Sequence, residues 1–381
     1  MINLLIKKII HKLTGVVSLK PMGAARGRVL LSYDTTPFLT YPKQPYYRHH
    51  SNQWECAEIA RLFLERGFNV DIIKWDNTSF KPKRNYVMIV DIHQNIERLL
   101  PFLKPSCIKI MHITATHWIF QNAAEYRQLL ALKERRHTVI SPQRIVPPAK
   151  NIEHADYATI LGNEFTRSTY AYAGKILFPI PSSTTTVFDK PTEKDFESCR
   201  KNFIWIGGNG FVLKGLDLVL EYFSENSEYH LTVCGKISSE PDFEKLYRRE
   251  LYEMPNIKTV GKINIASKEF GEIINKSLGL IFPSASEGQS GSVITSMHAG
   301  LIPIISRESG VDVENFGIIL KNNSKESICE TINMLAKESS SQLRERAYAA
   351  WEYARKHNTQ ETFSRAYAQA IDTLITKHKL I

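Results

Sequence analysis

Residues 278–305 read LGLIFPSASEGQSGSVITSMHAGLIPII. Leu278–Phe282 is a short apolar run that fits a buried strand, Ser286–Gly291 is a turn of small residues, and Ser292–Ala299 has helical length with Gly300 to end it. Leu301–Ser306 returns as a second apolar strand. A strand, a helix and a strand in so few residues form the repeating unit of a parallel sheet covered by helices. Glu287 stands just upstream of the helix. Free amides at a helix start attract an anion. A carboxylate there either caps those amides itself or, since it repels a phosphate, addresses the uncharged part of a ligand whose phosphates lie on them.

The same alternation runs outward in both directions. Upstream, Asn202–Gly208 reads as a strand, Gly215 to about Phe223 as a helix, Tyr229–Gly235 as a strand, and Ile257–Val260 as another. The first half repeats the pattern: a strand from Gly27, a helix over Trp54–Arg66 stopped by Gly67, and strands at Asn69–Trp75, Tyr86–Asp91 and Ile108–Thr114, with a helix near Ile96–Leu103. Between the halves, FPIPSSTTTVFDKPTEKD breaks the periodicity and marks a boundary near residues 179–200. Downstream, helices are expected at Ser341–Lys356 and Gln360–Lys377. The reading is therefore two doubly wound α/β domains facing a cleft: 1–182, 200–358, and a last helix in 359–381 that crosses back.

The chain of 381 residues is too long for one core, and its composition, 43% hydrophobic against 23% charged, is that of a globular protein. No run of 18 apolar residues offers a transmembrane helix. The five cysteines are scattered without a CxxC pair, which argues against a structural zinc site and fits a cytoplasmic protein. Of the net charge of +10, residues 1–182 hold 25 Lys/Arg against 13 Asp/Glu, or +12, and the remainder holds −2. A basic half implies an anionic surface as partner. No nucleic-acid recognition motif accompanies the charge, so nucleic acid is not expected. MINLLIKKIIHKLTGVVSLK sets Leu4, Leu5, Ile9 and Leu13 against Lys7, Lys8 and Lys12. It reads either as an amphipathic helix on an anionic membrane or as a poorly ordered terminus or a helix packed on its own domain.

The turn Gly207-Gly208-Asn209-Gly210 leads to Lys214 at the start of a helix, which suits a phosphate. It is neither a P-loop, because Leu216 stands where Ser or Thr is needed, nor a dinucleotide fingerprint, because Leu213 replaces the third glycine.

In order and spacing, FIWIGGNGFVLKGLDLVLEYF (203–223), LTVCGK (231–236), NIKTVGKI (256–263) and the 278–305 segment resemble the retaining GT-B glycosyltransferases, the large group with paired glutamates. In the first half only KIMHITATHW (109–118) resembles the group beyond architecture. The resemblance implies sugar transfer, with retention and without a metal cofactor, from a UDP- or GDP-linked donor to a cell-envelope glycan or lipid-linked saccharide; separately, the N-terminal pattern and the basic half suggest a cytoplasmic protein at the inner face of the membrane. The resemblance also implies that Lys214 binds the diphosphate, that the backbone of Ser290, Gly291 and Ser292 holds the distal phosphate and sugar, and that Glu287 meets the sugar near its reacting face. His117 would complete the catalytic set from the first domain. Gly208, Asn209, Gly210, Lys262 and Ile263 would flank the donor, with Thr295 at the ribose. Two positions depart from the group: Asn209 stands where an Arg is frequent, and Thr295 replaces the second acid. A neutral hydroxyl lacks charge assistance, a loss of about 1.5–3 kcal/mol. An epimerase or hydrolase on the same fold, or an inactive nucleotide-sugar or glycan-binding module, remain the competing expectations.

Overall fold

The computed structural model describes residues 8–9, 11–40 and 51–380. A seven-stranded sheet contains β1 (Val16–Leu19), β2 (Gly27–Tyr33), β3 (Phe68–Lys74), β4 (Met88–Asp91), β5 (Ile108–Ile113), β6 (Tyr157–Leu161) and β7 (Ile176–Ile180) in the order β1-β3-β2-β4-β5-β6-β7. A six-stranded sheet contains β8 (Asn202–Ile206), β9 (His230–Cys234), β10 (Ile257–Thr259), β11 (Gly279–Phe282), β12 (Ile302–Ile305) and β13 (Ile318–Ile319) in the order β10-β9-β8-β11-β12-β13. Every pairing is parallel except β1 with β3. Strands buried on both faces read as unbroken apolar runs, as in β11 and β12, whose residues are all buried.

The helices that matter to the site are α1 (Ser51–Glu65), α2 (Trp118–Arg136), α3 (Leu216–Glu225), α4 (Gly291–His298), α5 (Ser340–His357) and α6 (Gln360–Lys377). Gly67 and Gly300, both at positive φ, follow α1 and α4 and reverse the chain where a Cβ would be strained. Reciprocal capping bonds, Ser339 with Gln342 and Thr359 with Thr362, start α5 and α6.

The order of the second sheet is that of a nucleotide-binding doubly wound sheet, and its winding direction reverses between β8 and β11. These two strands pair directly, Gly279 with Phe203 and Leu280 with Ile204. The turns that follow them therefore leave the sheet side by side, at the place where such sheets bind ligands.

The two halves interlock. Phe363, Tyr367, Ile371 and Leu374 of α6 pack into the core of the first sheet with Phe63 and Ile180. In the opposite sense, Leu132 of α2 and the nearby Ile140 belong to the core of the second sheet.

The N-terminal helix reading needs correction. Residues 8–9 and 11–14 are helical, residues 1–7 and 10 lie outside the described part, and Val16–Leu19 is a strand. Gly15, at φ 67°, ends the helix, and its amide donates to the His11 carbonyl. Val17 is then buried in the first core, and β-branched Val16–Val17 suits an edge strand. Residues 41–50 of the Tyr- and Pro-rich loop also lie outside the described part.

Candidate functional site

The turn after β8 and the turn after β11 are stitched together. The Ala285 amide donates to the Leu213 carbonyl at 2.7 Å, and the Trp205 indole donates to the Lys214 carbonyl at 3.3 Å. Gly215, at φ 69°, lies so close to Pro283 that a Cβ would come 2.5 Å from its carbonyl oxygen. This contact fixes where Lys214 leaves the backbone. Its ammonium donates to Glu287 Oε1 and lies 5.7 Å from the Phe282 ring centroid. Glu287 is held in turn by its amide, which donates to the Glu308 carbonyl at 3.0 Å.

Lys214, Glu287, Ser290, Gly291, Ser292 and Thr295 line one cavity of about 260 Å³. Ser290 precedes α4 without capping it through its side chain. The first amides of α4 therefore have no side-chain cap, and Gly291 and Ser292 line the same cavity as Lys214. A cation and a helix N-terminus on one concave surface form an anion cradle, and a carboxylate beside them restricts where the anion sits.

Other groups in this cavity were not singled out from the sequence. Ser183, Thr184 and Thr185 of the boundary segment, Ile206, Ile265 and Ser51 complete its lining. Thr184 Oγ1 is 3.3 Å from Thr295 Oγ1, so the position lacking the second acid carries a pair of hydroxyls. The buried Ser183 hydroxyl has no hydrogen-bond partner among the described residues. The only available signal was the density of hydroxyls in SSTTT, which also suits a linker.

The glycine turn is engaged differently. The amides of Gly210 and Phe211 donate to the carboxylate of Glu240, which is 3% exposed and whose pKa burial raises. Asn209 accepts a hydrogen bond from the Ser239 hydroxyl at 3.0 Å. A Cβ on Gly210 would lie 2.4 Å from Cγ of Arg144, so the first half covers this turn. Gly208, Asn209 and Gly210 do not line the cavity, and nor do Lys262, which is exposed, and Ile263, which packs against the second core.

His117 is the residue that caps α2. Its Nδ1 accepts from the Ile119 amide at 3.4 Å, and its Nε2 lies 3.0 Å from the Tyr172 hydroxyl, which donates to Glu153 at 2.8 Å. That pattern puts the ring proton on Nε2, and burial lowers the imidazole's pKa. His117 lines a neighbouring cavity of about 410 Å³ with Thr116, Trp75, His93, Gln121 and Arg144, not the cavity of Lys214. His112 is fully buried and bonded to Thr159 at 2.8 Å.

The first half closes on the 287–290 turn. A Cβ on Gly288 would lie 2.2 Å from the Thr114 carbonyl oxygen, and the Thr166 hydroxyl donates to the Gly288 carbonyl at 2.8 Å. Thr116 and Ser286 share a hydrogen bond of 2.5 Å. The cavity thus sits at the seam between the halves, with both contributing to its surroundings.

Residues 191–357 match the family model of glycosyl transferases group 1. No curated protein sequence matches the chain. Among solved structures, sucrose-phosphate synthase from Thermosynechococcus elongatus superposes with a TM-score of 0.64 at 12% identity, over 92% of this chain and 99% of that one. Anabaena HepE, solved with UDP and glucose, gives 0.56 at 10% identity, over 91% and 99%. A variant of Staphylococcus aureus TarM, solved with fondaparinux, α-GlcNAc-glycerol and UDP, gives 0.51 at 14% identity, over 74% of this chain and 55% of that one. The chain thus matches about half the length of TarM, and at these identities the likeness is one of fold, the GT-B arrangement of two Rossmann-like domains.

Proposed function

We propose that this chain, whose residues 191–357 match the group 1 glycosyl transferases and whose fold is GT-B, moves a sugar from a nucleotide diphosphate sugar to a glycan or lipid-linked saccharide of the cell envelope, with retention at the anomeric carbon. The observation that carries the reading is the single cavity shared by Lys214, Glu287 and the open start of α4. In this account the ammonium of Lys214 and the amides of Gly291 and Ser292 neutralise the leaving diphosphate as its charge develops, the main source of rate enhancement available to such a site. Glu287 then turns from Lys214 to a hydroxyl of the sugar, and Thr295 with Thr184 receives the ribose. UDP is the favoured nucleotide, because HepE and TarM were solved with it. The cavity around His117 is the acceptor side, and His117 positions its wall from the cap of α2. The basic first half and the N-terminal segment serve an anionic membrane surface.

The test is a panel of UDP- and GDP-linked sugars with saccharide acceptors, read by product formation and by the anomeric configuration of the product. An acceptor-dependent α-linked product from an α-linked donor supports the proposal. Conversion of donor at a rate indifferent to acceptor points to an epimerase or hydrolase, and binding without product points to a binding module.

A further inference from the structure

On the far side of the 287–290 turn lies another cavity, of about 550 Å³, where the chain passes twice between the halves. One passage is Ile180–Pro181 after β7, and the other is Asn358 between α5 and α6. The Asn358 amide side chain joins them by donating to the Ser182 carbonyl at 3.0 Å.

The charge of this cavity is one-sided. Arg167 from the short helix Glu164–Ser168 after β6, Lys356 and His357 from the end of α5, and Arg365 from α6 line it with a single carboxylate, Asp312. Asp312 already accepts a hydrogen bond from the Asn163 amide at 2.8 Å. Arg167 pairs with Glu164 at 3.0 Å, and its Nε is buried with no partner among the described residues. Among the described residues Lys356 and Arg365 form no ion pair. Cations gathered in a concavity repel one another unless an anion joins them. Beside them, Tyr353 and His357 present rings with centroids 4.6 Å apart, and Gln289 and Gln369 carry neutral amides.

We propose that this cavity binds a small phosphorylated molecule, with its phosphate on Arg167, Lys356 and Arg365 and its uncharged part against the rings and amides. The site lies outside the donor cleft but shares a wall with it. Gln289 sits between Glu287 and Ser290, and its Oε1 accepts the Ser182 amide at 2.7 Å. A ligand here touches the first half, α5, α6 and the back of the 287–290 turn together. It therefore favours the seam in which Thr166 donates to the Gly288 carbonyl. Any effect on donor affinity rests on the function proposed above; the binding itself does not.

The experiment is calorimetric titration of inorganic pyrophosphate at constant ionic strength, with UDP saturating so that the donor cleft is filled. Wild type is compared with Lys356→Gln/Arg365→Gln and with a control, Lys81→Gln/Lys83→Gln, that removes the same charge elsewhere. One pyrophosphate site is expected, weakened about tenfold or more in the first variant, unchanged in the control, with equal UDP affinity in all three. No saturable binding, equal binding in wild type and Lys356→Gln/Arg365→Gln, or equal losses in both variants would overturn the proposal. A failure of UDP to bind strikes the donor reading alone, because the comparison between variants still reads the second cavity.

Discussion

Lys214 and Glu287 form an ion pair at the floor of the cleft, with only 11% and 16% of their side chains exposed. Each charge relieves the burial of the other, so neither is free to act until something replaces its partner. In the function proposed above, a diphosphate would do this in one step, taking over the ammonium and leaving the carboxylate beside the sugar. On that proposal the pair is the competitor that a donor must displace.

Glu287→Gln follows directly. Removing the carboxylate frees the ammonium, so UDP should bind as tightly as to wild type or up to roughly tenfold more tightly. Turnover should fall by about 100-fold or more if, as proposed, this group faces the reacting sugar. Paired binding and rate measurements check both, and loss of UDP binding would contradict the account.

Thr295→Val tests the hydroxyl pair with Thr184. It keeps the shape of a buried side chain and removes one hydrogen bond, so UDP affinity should drop by roughly threefold to tenfold. A free pyrophosphate titration, which lacks the ribose, should not change. Equal losses for both ligands would place the effect outside the ribose contact.

Gly288→Ala places a methyl group against the Thr114 carbonyl, where only 2.2 Å is available. The halves must part or the turn must shift, at a cost of about 1–3 kcal/mol. Thermal unfolding should show the loss, and small-angle scattering should show a larger radius of gyration. An unchanged unfolding temperature would mean that the seam yields without resistance.

Two buried groups of the first half, Glu55 and His112, contribute to the pH dependence of stability with opposite slopes. Glu55 is 1% exposed and accepts a hydrogen bond from the Tyr33 hydroxyl at 3.0 Å. Burial, opposed by that bond, pushes its pKa up from 4.5 to about 7. The folded protein therefore holds a proton that the unfolded chain has released, and Glu55 costs stability as pH rises from about 4.5 through 7. His112 has the opposite slope, because burial lowers its pKa to about 3. The unfolded chain protonates His112 first, so its contribution is lost on acidification below the ordinary histidine range. Glu55→Gln isolates the first effect. Relative to wild type its stability should rise between pH 4 and pH 8 by on the order of 3 kcal/mol, on top of a pH-independent offset. Parallel curves would contradict the assignment.

A deletion of residues 1–13 keeps β1 and the Thr14 hydroxyl that bonds the Val16 backbone, whereas a deletion to residue 20 would strip that strand from β3. If the N-terminal segment serves a membrane, the shorter deletion should reduce flotation with anionic vesicles and leave the unfolding temperature in place.

Much of the second half could be read directly, because β11, α4 and β12 follow one another with apolar runs, small-residue turns and a terminating glycine. α2 could not be read that way. It packs Leu132 toward the second core while Ile119, Tyr126 and Leu130 stay exposed, so its apolar residues do not lie on one face. β6 and β7 went unread between loops, although Tyr157–Leu161 is an apolar run bounded by Asp156 and Gly162. Ser183–Thr185 had the composition of a linker, and only the return of the chain toward α4 brings their hydroxyls into the cleft. Glu240 was equally out of reach, because its bonds to Gly210 and Phe211 span some thirty residues of sequence.

The most direct test of the central claim is calorimetric titration of UDP into wild type and Lys214→Ala. The account predicts saturable one-to-one binding to wild type and its loss, by 100-fold or more (about 2.7 kcal/mol), in the variant, with the fold intact by circular dichroism. Equal affinity in the two proteins would contradict it.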